Sequence, residues 1–117
     1  MGAFSPEEIA YMTGERRLGR LATVGADGTP HVVPLGWTYN AEEDTIDVGG
    51  RDMATTKKFS NVKRDGRAAI VIDDVVPPWS PRGIEVRGRA EALEGTEPGP
   101  LIRIHPDHVR SWGLSKS

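Results

Sequence analysis

The chain has 117 residues, 37% of them hydrophobic, with 15 lysines and arginines against 17 aspartates and glutamates and no cysteine. That length fits one domain, residues 1–117, and leaves little volume for a deep private pocket. A net charge of −2 excludes a global field for nucleic acid or an anionic membrane, and the missing cysteines exclude disulfides, thiolate nucleophiles and thiolate-bound metals.

Ser5-Pro6-Glu7-Glu8 reads as a capping box opening a short helix, with Ile9, Tyr11 and Met12 as its apolar face and Gly14 as its stop. The N-terminus carries neither a basic nor an apolar signal region, and no apolar run approaches the roughly 20 residues that span a bilayer. A cytoplasmic protein without membrane partners is expected. From Gly19 the period shortens to two. Leu21–Val24 and His31–Tyr39 read as strands around an Asp27-Gly28 turn, and Thr45–Val48 as a third strand ending at Gly49-Gly50. Arg51–Arg64 has helical spacing, opened by Ala54 or Thr55, with Phe59 and Val62 facing the core. Arg67–Val75 reads as a buried central strand. Pro77–Gly83, with three prolines, is expected to stay outside the sheet. Ile84–Leu93 alternates clearly, Glu94–Pro100 is a turn, and Leu101–Pro106 is a last strand. The pattern predicts a mainly β fold, a six-stranded antiparallel barrel with short helices, closed to remove its edges.

Chemistry concentrates in Arg51–Lys58. Two lysines in a first helical turn oppose the macrodipole, at about 0.3–1 kcal/mol each when exposed. Lys57 and Lys58 there, with the Thr55 and Thr56 hydroxyls and free N–H groups, suit a bound phosphate; alternatively, they are ordinary solvated residues. Gly49 and Gly50 just upstream would let a ligand approach the backbone. Pro34 and Gly36 interrupt the second strand, either for a flat ring lying along Val33-Pro34-Leu35-Gly36 or as a bulge in the barrel wall. Trp79 is either a core plug or an aromatic wall. His105 and His108 lack the further ligands that a metal site needs, and Asp73 and Asp74 point to opposite faces of a strand. No hydrolase or nucleotide-binding motif occurs. A cofactor with its own chemistry fits better.

The ordered set Gly19-Arg20-Leu21-Ala22-Thr23, Gly28-Thr29-Pro30-His31-Val32-Val33-Pro34, Gly49-Gly50-Arg51, Thr55-Thr56-Lys57-Lys58-Phe59, Arg67-Ala68-Ala69 and Arg82–Gly88 resembles the pyridoxamine-phosphate-oxidase-like flavin-binding split barrels. It is most similar to their F420-dependent oxidoreductase branch, and Ile102–Pro106 with Ser111–Leu114 resembles the subgroup that includes a reductase of tetracycline biosynthesis. The resemblance implies a homodimer with two cofactor sites between subunits. It implies that Lys57 and Lys58 hold the cofactor phosphate and that Val33–Gly36 lies along the flavin ring. The partner would add Trp79, Arg82, Gly83 and Trp112. The family oxidase's second-strand phosphate arginine falls on Val33, which argues against vitamin B6 oxidation. The expected function is hydride transfer from reduced coenzyme F420 to a conjugated double bond of a small organic substrate. FMN is the alternative cofactor, and a non-catalytic flavin or haem carrier the alternative class. No catalytic residue is assigned, with Tyr39 and His31 as proton-donor candidates beside water.

Overall fold

Ser5 opens the first helix, α1 (Pro6–Thr13), through a complete capping box: its hydroxyl accepts from the Glu8 N–H, and Glu8 accepts from the Ser5 N–H. The computed structural model describes residues 2–97 and 99–114. After α1 come β1 (Gly19–Val24), β2 (Pro30–Leu35), β3 (Thr38–Asn40) and β4 (Thr45–Gly49). A single 3-10 turn (Met53–Thr55) leads into α2 (Lys57–Arg64). The chain continues through β5 (Arg67–Val76), β6 (Ser80–Leu93), β7 (Leu101–Ile104) and β8 (His108–Trp112). All pairings are antiparallel, in the order β2-β1-β5-β6-β7-β4-β3, with β8 also on β6.

Strand β6 holds the barrel together. Its first ten residues pair β5 on one side, while Gly83–Arg87 pair β8 on the other; Ala90–Leu93 then pair β7. The strand turns its corner at Gly88, directly beneath the link from β7 to β8. A Cβ at this position would stand 2.0 Å from the His105 carbonyl oxygen, so only glycine fits. Inward rows of Leu21, Ile70, Ile72, Ile84 and Val86 meet Ile46, Val48, Ile102 and Ile104 in the core, where α2 adds Phe59 and Val62. Each such side chain contributes about 1.5–3 kcal/mol on burial.

Four sequence expectations change. The strand expected over His31–Tyr39 breaks at Gly36-Trp37 and crosses between the two halves of the sheet, β2 pairing β1 and β3 pairing β4. Trp37 is anchored at this crossing by its indole N–H, which donates to the Arg17 carbonyl at 2.8 Å. The proline-rich segment does join the sheet: only residues 77–79 form the turn, and Ser80 and Pro81 pair with Val76 and Val75. Because β8 reaches no further than Gly83, the other edge of this stretch has no ladder, which is where a sheet tolerates proline. The helix begins later than expected, with Thr56 as its N-cap. A last strand, β8, was missed altogether, and with the second expected strand split into β2 and β3 the sheet has eight strands where six were expected.

Candidate cofactor site

Two hollows hold part of the expected cofactor site, Val33, Lys57 and Lys58 in one and Gly36, Gly49 and Gly50 in the other. The first, of about 200 Å³, lies between β2 and the start of α2, lined by Thr23, His31, Val32, Val33, Lys57, Lys58 and Asn61. Thr56 caps α2 by accepting from the Phe59 N–H at 3.2 Å, so the N–H groups of Lys57 and Lys58, first in the helix, have no intrahelical acceptor. Two lysines, at a helix start with two free donors, thus line one small groove. No acidic residue occupies the first turn of α2 to neutralise them. The arrangement suits a phosphate.

The threonines do less than expected. The Thr55 hydroxyl donates to the Asp52 carbonyl and the Thr56 hydroxyl to the Met53 carbonyl, so both build the 3-10 turn. Two neighbours were missed instead. Asn61 is buried one turn after Lys57 and donates to the Thr23 hydroxyl at 3.1 Å, while its carbonyl oxygen accepts from Arg64. The i, i+4 spacing of Lys57 and Asn61 was the available signal.

The second hollow, about 730 Å³, runs along Gly36, Trp37, Thr38, Tyr39 and Asn40 to Gly49 and Gly50. No atom lies within 4 Å of where a Cβ would stand at Gly36 or Gly50, so the backbone is open to a flat ring at both. Its polar floor is Asp47, which accepts from Thr45, Asn40 and both nitrogens of an Arg103 fork. Burial pushes this carboxyl up, but the bonds from Arg103, Asn40 and Thr45 outweigh it and hold it below its usual range. Every lone pair in reach is occupied, so Asp47 stitches β3, β4 and β7 together. Arg51 stands exposed beside this hollow, in the turn that follows Gly50.

The remaining candidates lie elsewhere on the chain. Trp79, at the tip of the β5–β6 arm, is 75% exposed, which removes the core-plug reading. Arg82 makes a two-pronged bond to Asp74, at 2.8 and 2.9 Å, and Tyr11 donates to the same carboxylate at 2.7 Å. Arg17 stacks on the Tyr11 ring, 3.9 Å from its centroid. The bonds from Arg82 and Tyr11 hold the Asp74 carboxyl far below its usual range, and burial with the Asp74 bond pushes the Tyr11 hydroxyl up. Arg82 therefore fastens α1 to the arm within its own chain. Gly83 is buried, and a Cβ there would meet both Trp112 Cζ2 and Asp73 Cβ at 2.7 Å, so the close packing of β8 on β6 requires glycine. As expected, Asp73 points away from Asp74, accepting from Arg20 at 2.8 Å. Among the described residues no helix is long and apolar enough to cross a membrane.

A family profile described as pyridoxamine 5'-phosphate oxidase matches residues 5–101. Over 95% of its length the chain is 42% identical to the 5a,11a-dehydrotetracycline/5a,11a-dehydrooxytetracycline reductase of Streptomyces rimosus, covering 84% of that protein. Among solved structures, a conserved hypothetical protein of Mycobacterium tuberculosis superposes with a TM-score of 0.77 at 23% identity, over 95% of this chain and 86% of the other. One titled F420 reductase gives 0.68 at 21% identity, over 86% of this chain and 94% of its own.

Proposed function

The chain is an oxidoreductase of the pyridoxamine 5'-phosphate oxidase family, and on that premise we propose that it is an F420-dependent reductase. It takes a hydride from the reduced deazaflavin and delivers it to a conjugated carbon–carbon double bond of a polycyclic organic substrate. It works in the cytoplasm as a homodimer. The observation that carries this reading is the 42% identity, nearly end to end, to a reductase of dehydrotetracyclines.

The residues fit the cofactor. Lys57, Lys58 and their backbone N–H groups would hold its phosphate in the smaller hollow. Val33–Gly36 and Gly49-Gly50 would take the ring where the backbone lies open. When bound, F420 supplies a hydride donor whose reactive position is a carbon, which favours hydride transfer over reaction with oxygen. The exposed arm ending at Trp79 would cover the groove of a second subunit and exclude water from it. Gly83, within the arm, and Trp112, on the adjoining β8, would support that cover. Arg51, free of any carboxylate within bonding distance among the described residues, would guide the anionic tail of the cofactor; Arg82 is held by Asp74 and contributes less. The Tyr39 hydroxyl is spent on Asp44 at 3.2 Å, which leaves His31 and water as the proton sources.

Cofactor titration tests the assignment. F420 should bind more tightly than FMN, with the preference shrinking as salt screens its tail, and the loaded protein should have the mass of a dimer. Tighter binding of FMN at low salt replaces F420 with FMN; a loaded monomer removes the shared groove.

A further inference from the structure

The smaller hollow contains one titratable side chain to which the phosphate reading gives no role. His31 sits on β2 opposite Thr23, on the same inward row as Val33, and lines the groove with Lys57, Lys58 and Asn61. The turn preceding β2 determines where its ring lies. A Cβ at Gly25 would stand 2.6 Å from His31 Nε2 and 2.8 Å from Cδ2, so the imidazole rests on the bare Gly25 backbone. Of the two glycines in this turn, Gly28 has φ +85 and is needed by the backbone, whereas Gly25 is not in the left-handed region. The ring is thus a reason for glycine at position 25, beside a 3.1 Å approach to the Thr29 carbonyl oxygen.

Lys57 and Lys58, at the start of α2, line the groove with the imidazole, while Arg64, at the end of α2, is spent on the Val24 carbonyl at 2.7 Å and on Asn61 Oδ1 at 3.0 Å. Asp27 comes from the turn, its carboxyl held below the usual range by the Thr29 N–H. A phosphate held between the lysines would bring a dianion to the groove that the imidazole lines, and a neighbouring anion favours the charged form of a histidine.

We propose that His31, seated by Gly25, is a third ligand of the cofactor phosphate and takes up a proton as the anion binds. The proposal rests on the phosphate reading above. Histidine side chains change charge between about pH 5 and 8, so affinity should rise as pH falls through that window and decline above it. The experiment measures F420 dissociation constants at pH 6 and pH 8 for the wild type, H31Q, G25A and the double variant. The ligand's own titration is common to all four and cancels in their ratios. Between pH 8 and pH 6 the wild type should tighten about fivefold to tenfold more than H31Q, as a charge-assisted contact implies. G25A, which displaces the ring, should lose the same gain and have no further effect once His31 is glutamine. If G25A does not fold, the comparison of wild type with H31Q decides alone. Parallel pH curves for wild type and H31Q would overturn the role of His31 while leaving the lysine site intact. Absence of F420 and FMN binding by the wild type at either pH would overturn the phosphate reading and this proposal together.

Discussion

Replacing Lys57 and Lys58 together by alanine should weaken F420 binding by about 3 kcal/mol, on the order of a hundredfold, without lowering the melting temperature. Charge-assisted bonds contribute about 1.5–3 kcal/mol each, and residues adjacent on a helix diverge by roughly 100°, so one lysine should carry more than the other. Lys58, half-buried where Lys57 is exposed, is the better placed of the two. Folding should be indifferent or slightly helped, because removing cations from a helix start relieves the dipole. Fluorescence titration beside a thermal melt reads both quantities. An unchanged dissociation constant excludes the phosphate role; a collapsed melting temperature would show that the lysines hold the fold.

The second large effect concerns the barrel's corner. Gly88→Ala should destabilise the protein by about 3 kcal/mol, lowering its melting temperature by roughly 10–15 °C. The added methyl would meet not only the His105 carbonyl but also Asp107 Oδ2 at 2.8 Å and Asp107 N at 2.9 Å. Those atoms belong to a closed network: His105 N donates to the Arg89 carbonyl, Arg89 N to Asp107 Oδ2 and Asp107 N to the His105 carbonyl. Relief therefore requires moving the β7–β8 link off β6, and β8 with it. Gly36→Ala is the control, since open space surrounds that position and stability should not change. Equal melting temperatures for wild type and G88A would mean that the link shifts at little cost.

What the sequence made legible follows from where local patterning decides structure. The capping box at Ser5, the inward faces of β5 and β6 and the core positions of Phe59 and Val62 were readable because periodicity and end chemistry act over a few residues. Strand β8 was not. His108-Val109-Arg110-Ser111-Trp112 has no apolar alternation, and β6 supplies its ladder from more than twenty residues upstream. Pro81 misled for a related reason, because the damage a proline does depends on whether its edge is paired, which only topology determines. The site was read through Lys57 and Lys58, whose position in a first turn conflicts with the dipole and so demands a reason. The ion pair of Arg82 was not legible because its partner, Asp74, lies across a hairpin. Thr23 stayed hidden because a buried amide-to-hydroxyl bond leaves no trace in composition, and the i, i+4 spacing of Asn61 from Lys57 went unread.

The most direct test of the account follows reduced F420 in air, with and without 5a,11a-dehydrotetracycline, in the presence of the purified protein. Oxidation of the deazaflavin is expected to wait for the substrate and to proceed one equivalent for each double bond reduced, and reduced FMN, supplied without oxygen, should leave the double bond intact. Oxidation at the same rate without substrate, or turnover supported by FMN alone, would contradict the account.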